Sequence, residues 1–397
     1  MNLLLRLVLK QIVNFLSIFI FKKKNVWLIS LYNGGGSDLA ENSLSFAYFL
    51  KKKNIKFKYI NSFKIEGLEK NFIKIYSTKY IYYLLVSKIL IVESDLHNDI
   101  PLCLKKKTIK VNLFHGLATK KIYYSSKYIS QIYNKNIKNI IKEYLLGFCY
   151  PEEYNLIFTS NKFHRDKYIK AFKNKNVYIT GQCRNDLLKK NKKKLIVKMN
   201  NIFPKKNFNN KKFLLYLPTF RDKDKFPKFY KYLEDNKLEN FLSKNNLILL
   251  VKEHSFYKRN IKNYEKKKFD SNNIIYLNNE FLTQELLIIS NILINDYSGI
   301  YFDYLLLNKP IIFFCYDYRN YIKKHRGLYI DYFDIENTPG DKVYNVKELI
   351  KSIKNNLKNK HKHSKARQVA KKKYNYYSDY KNCDRVYQLI KNKIIHE

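Results

Sequence analysis

The chain has 397 residues, with 77 Lys plus Arg against 33 Asp plus Glu and a formal net charge of +44. A hydrophobic fraction of 46% and an aromatic fraction of 16% exclude a disordered polycation, and the length favours two lobes of roughly 200 residues each with a cleft between them. Five scattered cysteines, Cys103, Cys149, Cys183, Cys315 and Cys383, include no CxxC pair, so neither a disulfide framework nor a zinc site is indicated and a reducing cytoplasmic location follows.

The first 24 residues are apolar but interrupted by Arg6, Lys10, Gln11 and Asn14. The uninterrupted part is too short to cross a bilayer, which takes about 20 residues. Lys22, Lys23 and Lys24 stand where a signal peptide would carry its cleavage site. An amphipathic helix lying on the inner leaflet is expected, its lysines touching anionic headgroups; the plainer reading is a helix packed on the first domain.

From Val26 onward, short β-branched runs alternate with longer helical patterns, the signature of βαβ units and an α/β fold with parallel sheets. Strands are predicted at 26–31, 56–60, 72–76, 89–93, 109–114, 156–160 and 177–180, then at 213–217, 247–252, 274–277, 292–295 and 310–314. Leu188–Lys212 shows no strand pattern and reads as the linker. Val369–Ile395 reads as a helical tail of the kind that returns to the first lobe.

Tyr32-Asn33-Gly34-Gly35-Gly36-Ser37-Asp38 follows the first strand but matches neither GxGxxG nor GxxxxGK[ST], so it reads as a tight turn. His115 and Gly116 end a strand, where α/β active sites form. A histidine there suits a general base, and Lys120 and Lys121 favour a phosphate ligand over a loop histidine satisfied by its neighbours. Lys252 and His254 repeat that placement in the second half. Arg184 and Arg221 sit in polar turns beside strands and could clamp phosphate oxygens bidentately. The alternatives are local ion pairs, Arg184 with Asp186 and Arg221 with Asp222.

Between the strands Ile292–Asn295 and Pro310–Phe314, a turn and short helix place Asp296, Ser298 and Asp303 at the carboxyl mouth of a sheet. A helix starting there offers N–H groups to an anion. The basic, aromatic stretch Tyr257–Lys268 has no RNP, KH or zinc-finger pattern beside it and reads as a solvated helix face. No metal site is spelled out; a loosely held Mg²⁺ on a substrate pyrophosphate remains compatible with the sequence.

In order, His115-Gly116-Leu117-Ala118-Thr119-Lys120-Lys121, Gly181-Gln182-Cys183-Arg184-Asn185-Asp186, Leu217-Pro218-Thr219-Phe220-Arg221-Asp222, Lys252-Glu253-His254, Asn295-Asp296-Tyr297-Ser298-Gly299 with Phe302-Asp303, and Thr338-Pro339-Gly340 resemble the CDP-glycerol glycerophosphotransferase family. These are the teichoic-acid primases and polymerases and their capsule-synthesis relatives. The resemblance implies a GT-B fold of two Rossmann-like lobes: a membrane-associating segment 1–24, an acceptor lobe 25–190, a linker 191–212, a CDP-donor lobe 213–368, and a tail 369–397 packing back on the first lobe.

It also implies transfer of an alcohol phosphate, glycerol phosphate or ribitol phosphate, from a CDP-activated donor to a hydroxyl of a membrane-linked or polymeric acceptor, with CMP released. His115 would be the base and His254 its catalytic partner at the donor pyrophosphate. Arg184, Arg221, Thr219, Lys252 and Ser298 would bind donor phosphates, Asp303 would lie beside them, and Asp296 would hold the turn or the donor. Three departures from the family pattern stand out: Gly299 in place of a second serine, Ser255 in place of proline after His254, and Leu117-Ala118 in place of Thr-Pro. The competing readings are a GT-B glycosyltransferase using a nucleotide sugar, and a nucleic-acid binder driven by charge. No specific nucleic acid is expected, since an anionic membrane surface and a phosphate-rich acceptor account for the charge.

Overall fold

The computed structural model describes residues 8, 12–13, 15–16, 19–20, 23–32, 39–94, 108–126, 153–219, 221, 229–253, 271–324 and 327–396. The expectations at Gly34–Gly36, Asp222, His254 and Tyr257–Lys268 lie outside these residues. The chain forms two compact units, one of residues 1–116, 122–186 and 379–397, the other of 117–121 and 187–378.

The first unit is built on β1 (Lys23–Ser30), β2 (Phe57–Asn61), β3 (Phe72–Lys74), β4 (Ser87–Val92), β5 (Ile109–Asn112), β6 (Leu156–Thr159) and β7 (Val177–Ile179). All pair in parallel in the order β3-β2-β1-β4-β5-β6-β7. The path reverses between β1 and β4, the switch point beside which ligands bind in open α/β sheets. Ile89, Leu90, Ile91 and Val92 are all fully buried, as a strand covered on both faces requires.

Carboxylates hold the starts of two helices of this unit. Glu93, just past β4, accepts from the Ser43 N–H (2.8 Å) in the first turn of the helix Glu41–Lys52, whose N-cap Ala40 has no side-chain acceptor. Asp186 accepts from the Asn382 and Cys383 N–H groups (2.9 Å each) at the start of the helix Asn382–His396. Tyr387 of that helix stacks on Trp27 of β1 with centroids 5.7 Å apart, so the C-terminal helix is part of the first unit. At the other end of the chain, Val13 is buried against Leu85 with Ile20 and Ile81, while Val8, Ile12, Phe15, Leu16 and Phe19 are exposed. Among the described residues no helix is long and apolar enough to cross a membrane.

The second unit holds β8 (Lys212–Tyr216), β9 (Leu247–Lys252), β10 (Ile274–Leu277), β11 (Ile292–Asn295), β12 (Ile311–Phe314) and β13 (Asp341–Val343), parallel in the order β10-β9-β8-β11-β12-β13. This repeats the path of the first six strands of the other sheet, with the switch point between β8 and β11. One core of the unit gathers Leu238, Phe241 and Leu242 from the helix Asn236–Lys244 and Leu349 and Ile353 from the helix Val346–Lys358, with Leu214, Leu249, Val251 and Ile312 of the strands. The second helix begins with a reciprocal cap: Asn345 Oδ1 accepts from the Glu348 N–H (2.9 Å), and Glu348 reaches back to the Tyr344 N–H (2.8 Å).

Two features differ from expectation. The stretch 191–212 is not an irregular linker: Lys192–Ile202 is a helix capped by Asn191, whose side chain accepts from the Lys193 N–H, and it buries Leu195 and Met199 four residues apart. The units divide at Asp186/Leu187 instead. The short edge strand β13 had no apolar run to announce it.

Candidate active site

In the first unit β5 runs out at Asn112, and the turn that follows is held in uncommon backbone geometry. Phe114 has φ +52° and Gly116 φ +130°. A bulky residue in the left-handed region costs on the order of 1–3 kcal/mol and persists only when its surroundings enforce it. Here Asn112 Oδ1 accepts from the Phe114 N–H (2.8 Å), and the Phe114 ring is wedged against Tyr168 and Phe172 at 5.0 and 5.7 Å. His115 is thereby turned outward and exposed, its ring 4.5 Å from that of Phe114.

Gly116 is favoured by φ, and any Cβ there would also have to displace the end of the Arg184 side chain. A Cβ there would lie 2.5 Å from Arg184 Nη2. Arg184 Nη1 donates to the His115 carbonyl at 2.9 Å, so this buried guanidinium packs on the backbone of the histidine turn. Asp186, the local alternative partner of Arg184, caps the C-terminal helix.

In the second unit the carboxyl ends of β8 and β11 meet at the switch point. Asp296, fully buried, accepts from the Thr219 N–H (3.0 Å), the Thr219 hydroxyl, the Tyr297 N–H (2.7 Å) and Arg221 Nη1 (3.1 Å). Arg221 also donates Nε and Nη2 to the two oxygens of Asp317 (2.9 and 3.1 Å), Nη1 to the Thr219 carbonyl (2.6 Å) and Nη2 to the Tyr316 hydroxyl (3.1 Å). Tyr297 and Tyr321 flank its face at 5.0 and 4.9 Å. Burial opposes the guanidinium charge, but Asp296, Tyr316 and Asp317 outweigh it and hold the group above its ordinary range.

Three of the expected donor-binding residues are engaged within the protein. Arg221 pairs with Asp296 and Asp317, and each of its five N–H donors has a protein acceptor. Thr219 spends its N–H and hydroxyl on Asp296. Asp303 is fully buried and accepts from Gln284 Nε2 (3.0 Å). Asp317 and Tyr297, absent from the sequence expectations, complete the cluster; Tyr297 donates its hydroxyl to Asp317 at 3.0 Å. Asp317 lies three residues past β12, at the same carboxyl mouth, and that rule alone pointed to it.

Ser298 and Lys252 remain at the surface of the site. Ser298 is half-buried and its hydroxyl accepts from the Ile300 N–H (3.3 Å), while Lys252 Nζ donates to the Phe281 carbonyl (3.0 Å) and Thr283 Oγ1 (3.4 Å). Gly299 has an ordinary φ of −71°, yet a Cβ on it would fall 1.9 Å from the Leu117 carbonyl oxygen. The missing second serine is therefore a steric requirement of this chain, in which Leu117 also departs from the family pattern. Gly299→Ser is expected to lower stability by about 1–3 kcal/mol through overpacking, without tightening donor binding. Urea unfolding together with the donor KM checks this; an unshifted midpoint with a lower KM would contradict it. Among the described residues no three His, Cys, Asp or Glu side chains are grouped to hold a metal.

A family model described as CDP-Glycerol:Poly(glycerophosphate) glycerophosphotransferase matches residues 12–392. The chain belongs to this family. It is 27% identical over 353 residues to a teichoic acid poly(glycerol phosphate) polymerase of Bacillus spizizenii, covering 83% of this chain and 84% of that protein. It is 30% identical over 282 residues to a teichoic acid poly(ribitol-phosphate) polymerase of the same organism, covering 69% of this chain and 42% of that protein. A teichoic acid glycerol-phosphate primase of Bacillus subtilis is 34% identical over 188 residues, 47% of this chain and 45% of that protein.

Among solved structures, the wall teichoic acid polymerase TagF superposes with a TM-score of 0.72 at 20% identity over 94% of this chain and 90% of that one. A putative UDP-N-acetylglucosamine 2-epimerase from Listeria monocytogenes gives 0.56 at 13% identity over 94% and 97%. These likenesses carry the fold, the GT-B arrangement of two Rossmann-like units. The family assignment makes the chain an enzyme that moves an alcohol phosphate from a CDP-activated donor, and sets it with the phosphotransferases rather than the nucleotide-sugar glycosyltransferases.

Proposed function

We propose that this glycerophosphotransferase-family enzyme transfers glycerol phosphate or ribitol phosphate from its CDP derivative to a hydroxyl of a teichoic acid or related surface polymer at the cytoplasmic face of the membrane. The observation that carries the proposed role of His115 is its exposed side chain on a turn whose backbone is enforced from both sides. In this reading the imidazole accepts the proton of the acceptor hydroxyl. The oxygen forms a new bond to the phosphorus bearing the alcohol, the bond from that phosphorus to the bridging oxygen breaks, and its electron pair leaves with CMP. Such a displacement needs alignment, a proton acceptor and donors for the equatorial oxygens, with little covalent participation by the protein.

Ser298, Lys252 and His254 are the donor-phosphate ligands of this reading, with Arg184 setting the histidine turn. Arg221, Asp296, Thr219 and Asp317 hold the β8 and β11 turns in shape. No protein-built metal enters the scheme, and sensitivity of turnover to EDTA tests whether Mg²⁺ travels with the pyrophosphate. The reading is tested by offering CDP-glycerol, CDP-ribitol and UDP- and GDP-sugars and scoring released nucleotide. CMP from a CDP-alcohol is the supporting result; release from a sugar donor alone overturns it.

The membrane part rests on exposed apolar side chains near the N-terminus. Phe15 and Phe19 are 62% and 67% exposed, beside the exposed Val8, Ile12 and Leu16 and just before Lys22, Lys23 and Lys24. Each phenylalanine moved from water into the acyl boundary contributes about 1.5–3 kcal/mol. The double substitution Phe15→Glu and Phe19→Glu is expected to weaken binding to phosphatidylglycerol vesicles at least about 100-fold in a sedimentation assay. Undiminished binding would contradict the membrane placement.

A further inference from the structure

Asn42 lies in the first turn of the helix Glu41–Lys52 and is fully buried. Its amide reaches two other segments of the first unit. Nδ2 donates to the Phe114 carbonyl (2.6 Å) and to Gln182 Oε1 (2.8 Å), while Oδ1 accepts from the Arg184 N–H (2.9 Å). The orientation is dictated by the partners: a backbone N–H only donates and a backbone carbonyl only accepts, so a reversed amide would meet both with repulsion.

Two of these three contacts bear on the histidine turn. One holds the carbonyl of Phe114, the residue in left-handed geometry directly before His115. The other holds the backbone of Arg184, whose Nη1 donates to the His115 carbonyl and whose guanidinium fills the space beside Gly116. The bland reading is that a buried amide merely finds partners, as most do. Against it stands the identity of the partners, separated from Asn42 by 72 and 142 residues in sequence and converging on one turn.

We propose that Asn42 is a positioning residue for His115, joining the first helix to the turns after β5 and β7 and fixing the direction in which the imidazole is presented. The inference rests on the reading of His115 as the base. Asn42 touches no reacting atom in this scheme and acts through the backbone on either side of the histidine.

The test compares Asn42→Ala, Asn42→Asp, His115→Gln and the Asn42→Ala/His115→Gln double variant, in the full chain with CDP-glycerol and a polymeric acceptor. Asn42→Asp keeps the shape and the acceptor for the Arg184 N–H but loses both donors, and so serves if the alanine variant unfolds. The expected result is a fall in kcat of at least about tenfold with the CDP-glycerol KM within about twofold, a cooperative thermal transition, and no further loss in the double variant relative to His115→Gln. Unchanged kcat in the Asn42 variants while His115→Gln is inactivated would overturn this inference alone, as would losses that multiply in the double variant. Wild-type turnover in His115→Gln would instead remove the base assignment on which it stands.

Discussion

Replacement of His115 by alanine is expected to lower the rate of CMP release by about 10²–10⁴-fold, the span that a positioned general base commonly contributes. The side chain is exposed, so its removal empties no core site, and the thermal transition should stay within a few degrees of the wild type. The enforced backbone at Phe114 and Gly116 does not depend on the imidazole, because its hydrogen bonds run through Asn112, Asn42 and Tyr168; Tyr168 donates its hydroxyl to the Gly116 carbonyl at 3.2 Å. Turnover and circular dichroism of the same preparation check both halves. Full activity in the alanine variant would falsify the base assignment.

Arg221→Ala should act through stability rather than chemistry. It removes the only guanidinium facing Asp296 and Asp317 among the described residues, leaving one fully buried carboxylate and one largely buried one without that counter-charge. Breaking a buried pair from one side costs about 3–5 kcal/mol, a large part of the 5–15 kcal/mol that holds a domain folded. Arg221→Lys is expected to recover little, because one ammonium cannot span Asp296, Asp317, Thr219 and Tyr316 together. Urea unfolding followed by fluorescence reads the shift. If Arg221→Ala unfolds at the wild-type midpoint and only donor affinity is lost, the arginine contacts the donor after all.

The sheets were legible in the sequence because most of their strands are short, largely apolar runs alternating with helical patterns, as parallel sheets covered on both faces give. All twelve expected strands have counterparts. The thirteenth, Asp341–Val343, escaped because it is short, two of its three residues are charged, and its pairing is at an edge. The helix Lys192–Ile202 was hidden by its lysines and asparagines, although Leu195 and Met199 mark a buried stripe and Asn191 a cap.

Site residues followed the same division. The pattern placed His115, Asp296 and Ser298 just past the ends of β5 and β11, where the structure has them, because position along a strand is a local property. Partners are not local: Arg221 was read as a phosphate clamp with an Asp222 pair as the alternative, and two partners it has in the structure lie 75 and 96 residues away. Asn42 gave no signal at all, since one asparagine in a helical pattern looks like any other until β5 and β7 are folded against it. Gly299 was read as a lost hydroxyl, and only the Leu117 carbonyl shows that it is a space requirement.

The central claim is that an alcohol phosphate, and not a sugar, leaves a CDP donor for a polymer hydroxyl. Incubation with CDP-glycerol or CDP-ribitol and a short teichoic-acid primer, followed by mass spectrometry of the primer and chromatography of the nucleotide, measures it directly. The account predicts one CMP for each alcohol phosphate unit gained by the primer. It is contradicted if the primer gains hexose units from a nucleotide sugar, or if CMP is released while the primer mass stays unchanged.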